Sequence, residues 1–98
     1  MATHTVVVLN QGTSFRARPP YAVVKPDDQV KFSNYSGQVV SLTFPSGLFA
    51  GKDQLTLSTG SKDTLTVQDV GDGRYPYNGV VNGMPVEGES SPEIIVDR

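Results

Sequence analysis

The chain has 98 residues, no cysteine and no tryptophan, and its ten acidic side chains against eight cations give a formal charge of -2. That length suits one modest core, so a single domain over residues 1–98 is expected, and the cysteine count excludes a disulfide framework, a thiolate nucleophile and a thiolate metal ligand. The cations are scattered singly apart from Arg16 and Arg18, which argues against nucleic acid as a partner, because displacing its counterions needs clustered Lys and Arg.

Helix signals are nearly lacking. No window of a dozen residues places apolar positions three and four apart, and ten glycines and seven prolines punctuate the chain. Short runs rich in Val, Thr, Leu, Phe and Tyr, bounded by turn residues, predict strands over 3–9, 15–18, 22–24, 29–33, 39–44, 54–57, 63–68, 74–81 and 93–97. Alternation within them puts Val30 and Phe32 on one face, and likewise Leu42 with Phe44, Leu55 with Leu57, Leu65 with Val67, Tyr75 with Tyr77 and Ile94 with Val96. Two sheets would bury these faces against each other.

The connecting segments carry matching turn chemistry. KPDDQ sets Pro26 before two aspartates, NYSG and VGDG end in glycine, and Asn-Gly at 78–79 and 82–83 suits positive φ. Pro19 and Pro20 should break an edge strand. Sheet edges either stay guarded or pair with another chain, so the oligomeric state stays open. No stretch approaches the roughly 20 apolar residues of a membrane span, and MATHTVVVLNQ lacks the cationic-then-apolar order of a signal peptide. No membrane insertion is expected, and a cytoplasmic location is favoured over an extracytoplasmic mature domain.

Three segments, in order, carry a resemblance: VVKPDDQVKFSN, NYSGQVVSLTF and GDGRYPYNGVVNGMPVEGESSPEIIVD. Together they resemble the cupredoxins, the small copper-carrying β-sandwiches that include plastocyanin. The resemblance implies an all-β, cupredoxin-like Greek-key sandwich of about eight strands. It places that family's first His on Val40, its Cys on Gly79, its second His on Asn82 and its axial Met on Met84, at a shorter spacing than in plastocyanin-like members. A blue-copper site is made by two imidazoles and a thiolate, with the axial sulfur bonding weakly. The resemblance therefore implies a scaffold without metal or other cofactor. QDVGDGRYPYNG also resembles the Asp-x-Gly-x-Tyr-x-Cys corner of immunoglobulin-like domains, against which stand zero Trp and zero Cys.

Tyr75 reads as a residue packed between sheets, its hydroxyl bonding nearby backbone as in a tyrosine corner. Tyr35, Tyr77, Asn78 and Asn82 make the candidate ligand-facing set near the loop end, where two Asn amides suit hydroxyl-rich or peptide ligands; the competing reading has both Asn holding left-handed turns ahead of glycine. Val40 reads as an apolar plug at the old metal position. His4, the lone imidazole, reads as exposed near a frayed terminus, with no nucleophile elbow to serve it. Glu87, Glu89, Glu93 and Asp97 read as solvated charge, and the two aspartate pairs, 27–28 and 69 with 72, as turn formers. Asn34-Tyr35-Ser36 matches a glycosylation acceptor triplet.

The function these readings support is a non-catalytic, metal-free binding or interaction module for a protein or small-molecule partner that the sequence does not name. Two alternatives stand beside it: electron transfer or copper handling through a rearranged site of Met84, Met1 and His4, and a weak hydrolase using His4.

Overall fold

A computed structural model describes residues 2–11, 14–81, 83–86 and 92–97. The β-branched and aromatic runs form strands β1 (Thr3–Gln11), β2 (Ser14–Arg18), β3 (Tyr21–Val24), β4 (Gln29–Tyr35), β5 (Val40–Thr43), β6 (Gln54–Leu57), β7 (Lys62–Thr66), β8 (Gly73–Pro76), β9 (Asn78–Val81), β10 (Met84–Pro85) and β11 (Glu93–Val96). Every expected strand is present. One is divided, since the run expected over 74–81 splits into β8 and β9 at Tyr77, and the two-residue β10 was not expected.

One layer is the sheet β2-β1-β4-β7, and opposite it lie β10-β9-β5-β6 and β3-β11-β8. Tyr77 joins the last two. Its N–H donates to the Pro92 carbonyl at 2.9 Å, extending the β8–β11 ladder by one residue before the chain turns to pair with β5. The Pro19-Pro20 break falls where the chain leaves the first layer with β2 and enters the second with β3. Proline has no N–H to continue a ladder, and the Pro20 carbonyl instead accepts from Glu93 N–H at 2.9 Å. β1 runs parallel to β4 and β3 parallel to β11, a mixed pairing unlike the two antiparallel sheets of an immunoglobulin sandwich.

Alternation delivers the core. Val6, Val8, Val30, Phe32 and Leu65 from one layer, and Leu42, Leu55, Leu57, Val81, Ile94 and Val96 from the other, are all buried in one cluster. Residues 45–53 show no period, yet Leu48 and Phe49 are each 1% exposed. Phe49 lies edge-on to Phe44 with ring centroids 4.8 Å apart, and Phe32 and Tyr77 complete a four-ring cluster, their centroids 5.7 Å apart at 80°. Such tilted and edge contacts add to what area burial alone provides.

The turn 25–28 has type II form: Pro26 takes the second position, Asp27 the third at φ 70°, and Asp28 N–H closes on the Lys25 carbonyl at 3.1 Å. This geometry turns the next carboxylate inward.

Candidate functional site

At the end of the sandwich where β4 finishes and β5 begins, Val40 pairs with Val81 and Leu42 with Gly79, while Val81 pairs with Met84 on its other side. Val40 is wholly buried, as a plug should be. Gly79 is buried too, and the reason it is glycine is visible. A Cβ there would meet Leu42 Cδ2 at 2.8 Å and Val86 Cβ at 3.0 Å, too close for any side chain to be added without displacing both neighbours. Met84 is 46% exposed on the two-residue β10. Asn82 lies outside the described residues. An aliphatic side chain, a position without room for one and a single exposed thioether do not fit copper, which asks for imidazole and thiolate. Among the described residues no group of His, Asp and Glu stands close enough to hold a metal.

The candidate ligand-facing set separates. Tyr35 is 66% exposed and Asn78 is exposed, but Tyr77 is a core residue at 1%. Its ring is held by Phe32 and Phe44, and burial pushes its phenol up. Tyr77 thus cannot present its face to a ligand as the sequence reading allowed. Tyr75, half-buried, donates its hydroxyl to the Gly71 carbonyl four residues back at 2.6 Å, which is the corner expected of it.

The same end is tied by Asn34, 1% exposed. Its side-chain nitrogen donates to the carbonyls of Gln38, Leu57 and Ser58 at 2.6, 3.1 and 3.1 Å. Its oxygen accepts from Ser36 N–H at 3.0 Å and from the Ser36 hydroxyl at 2.6 Å. One amide so bridges the β4–β5 loop and the end of β6. With its nitrogen buried and committed to three carbonyls, Asn34 in the folded chain is a structural tie and not a glycosylation acceptor.

The opposite end holds the one buried carboxylate that the structure describes, and it corrects the reading of His4 and Asp28. Asp28, 5% exposed, accepts at Oδ1 from Ala2 N–H at 2.9 Å, and at Oδ2 from His4 Nε2 at 2.8 Å and Lys25 N–H at 3.0 Å. The amide of Ala2, then the imidazole, then the amide of Lys25 hold its carboxyl well below the usual carboxylate range, overriding the desolvation that would raise it. Asp28 is more than a turn former, and His4 is clamped to it instead of fraying. A signal was present in the sequence. Stepping back by two from Val30 reaches Asp28, and by two from Val6 reaches His4, so strand alternation already puts both on inward faces. Glu93, read as solvated, sits 3.5 Å from Arg74 with its side chain 16% exposed, while Glu87 and Glu89 lie outside the described residues.

No protein-family model matches the sequence, and no curated protein matches it. Solved structures do match in fold. A purple cupredoxin from Nitrosopumilus maritimus superimposes with a TM-score of 0.67 at 14% identity, over 96% of this chain and 99% of that one. An oxidised amicyanin variant gives 0.67 at 18%, over 97% and 82%, and a Sinorhizobium pseudoazurin 0.67 at 20%, over 100% and 76%. The chain has the cupredoxin fold. On that scaffold it carries no cysteine, and its described residues bring no metal-binding group together.

Proposed function

We propose that this chain is a single-domain, non-catalytic interaction module on a cupredoxin scaffold, with Val40, Gly79, Asn82 and Met84 standing where copper ligands stand in metal-carrying forms. The packing around Gly79 carries the reading: Leu42 and Val86 fill the space that a ligand side chain would need. A scaffold that had merely lost its ligands would leave a hole at that position. This one is filled.

Two observations weigh against the alternatives. His4 pairs in register with Val30 near the start of β4, whereas Met84 connects through Val81 to Val40 beyond the end of β4, so of the three donors of a rearranged copper site His4 and Met84 sit at opposite ends of the sandwich, and Met1 lies outside the described residues. The His4 ring is bonded to Asp28, and among the described residues no serine hydroxyl bonds to it, so the pair lacks the nucleophile of a hydrolase.

Titration with Cu(II), followed by visible absorbance and by melting temperature, tests the proposal. The expected result is no intense thiolate-to-copper band and no rise in melting temperature. A stoichiometric rise would overturn it, because a tight ligand stabilises the folded state by linkage.

A further inference from the structure

The outward positions of β2, β1, β4 and β7 are those out of phase with the core, and the register aligns them into rows. Arg18, Val7, Ser33 and Lys62 form one row across all four strands; Arg16, Leu9 and Tyr35 form the next; Thr5, Lys31 and Thr64 form a third. Four of the chain's eight cations therefore share one face. The rows contain no acidic residue. Among the described residues no carboxylate pairs with Arg16, Lys31 or Lys62, whereas Lys52 pairs with Asp63, which sits on β7 in the opposite phase to Lys62, and Arg74 pairs with Glu93 in the other layer. At about 4.8 Å between strands, the four-strand row is roughly 14 Å wide.

Around the buried Ser33, one side of the β1–β4 centre is apolar. Val7 and Leu9 are half-buried, and Tyr35, at 66% exposure, lies next to Leu9 in the register. Cations flank this centre on both sides. The outer face of β10-β9-β5-β6 contrasts with it, since Ser41, Thr43, Gln54, Thr56, Asn78 and Val80 carry no charge, and on β3-β11-β8 Arg74 is matched by Glu93 at 3.5 Å.

We propose that the outer face of β2-β1-β4-β7 is a docking surface for an acidic protein segment whose carboxylates meet Arg16, Lys31 and Lys62 around an apolar contact with Val7, Leu9 and Tyr35. This names the partner class and the face for the interaction module proposed above, and rests on that reading. Charge complementarity sets the sign of the partner: Arg16, Lys31 and Lys62, to which no carboxylate pairs among the described residues, repel basic surfaces and steer acidic ones. The apolar centre selects protein over nucleic acid. Tyr and Arg are the residue types that carry protein interfaces, while a single-stranded nucleic acid needs an aromatic platform for each successive base, and the face offers one.

The test titrates the whole chain with a soluble peptide of repeating Glu-Ala-Glu-Leu and, in parallel, with an oligothymidylate of matched charge, reading backbone amide shifts by NMR. The expected peptide-induced shifts fall on Val7, Leu9, Arg16, Lys31, Tyr35 and Lys62 and vanish at about 0.5 M salt, where screening is nearly complete beyond a few ångströms. Charge reversal by Lys31→Glu with Lys62→Glu should weaken the peptide about tenfold. Should the reversal also lower the melting temperature, the neutral pair Lys31→Gln with Lys62→Gln should show the same loss at a smaller size with the fold intact. Shifts elsewhere, no shifts at low salt, or tighter binding of the oligothymidylate to these residues would overturn the proposal. None of those results bears on copper, so the titration with Cu(II) judges the underlying reading separately.

Discussion

The two ends of the sandwich are held by opposite kinds of chemistry. Around Gly79 the sequence relies on shape: Val40, Leu42, Val81 and Val86 are all buried, and the space is filled so closely that a single added carbon collides. Around Asp28 it relies on directed polar contacts, with two amides and an imidazole converging on one buried carboxylate. The first end has no titratable group among these contacts and should ignore pH. The second should not. Asp28 and His4 fasten β1 to the turn that starts β4, so the parallel β1–β4 pair, at the centre of the first layer, depends on an ionised side chain.

Removing that carboxylate should produce the largest effect. Asp28→Ala leaves two amide donors and an imidazole without their acceptor, and removing a buried charged acceptor from its donors in this way costs about 3 kcal/mol. For a chain of this length the melting temperature should fall by about 12–24 °C. The pH dependence follows from the direction of the shift. A carboxyl held below its unfolded value of about 3.9 contributes its full stabilisation above that pH and loses it as pH falls toward the folded value. Denaturant midpoints of the parent and Asp28→Ala should therefore differ by a constant amount from about pH 5 upward and converge below about pH 4. A gap that stayed constant to pH 2 would mean that the hydrogen bonds, not the ionisation, hold this end.

A smaller effect is expected at the apolar end. Gly79→Ala forces Leu42 and Val86 apart, an overpacking cost of about 1–3 kcal/mol. Its size should be the same at pH 4 and pH 8. A variant as stable as the parent would show that this end yields, and that the filled space is no barrier to a ligand side chain. The smallest effect belongs to the turn itself. Asp27 holds φ 70° where type II turns favour glycine, and Asp27→Gly should relieve that conformation and raise stability by up to about 0.5 kcal/mol, read from the denaturant midpoint. A loss instead would show that the Asp27 side chain, and not its backbone alone, supports the Asp28 clamp.

The fold was legible in the sequence, the candidate site much less so. The motif order from VVKPDDQVKFSN to the last strand pointed to the cupredoxin fold, and the solved structures that match share it. The bond from the Tyr75 hydroxyl to nearby backbone was also read from the sequence. Tyr77 was misjudged because two tyrosines at a spacing of two look alike in sequence. Only the change of partner at that residue, from β11 to β5, puts one under the four-ring cluster and leaves the other at its edge. Leu48 and Phe49 escaped notice for a related reason, since a segment without period gives no sign of which side faces in.

What the sequence alone determined is therefore local: where strands start and stop, which side chains of each point the same way, and the lack of thiolate for copper; positive φ came at Gly37 and Gly83 as read, but not at Asn78-Gly79, which is extended in β9. Period-two alternation and turn chemistry act between neighbours in the chain, so they can be read there. The tertiary structure decided everything that depends on which strands lie side by side. Arg16, Lys31 and Lys62 are far apart in sequence and become one basic face only because β1 lies between β2 and β4 and β4 pairs with β7. His4 and Asp28 meet for the same reason, across a parallel pairing that no local pattern encodes, because strand order is fixed by the summed burial of the whole core and not by any segment within it.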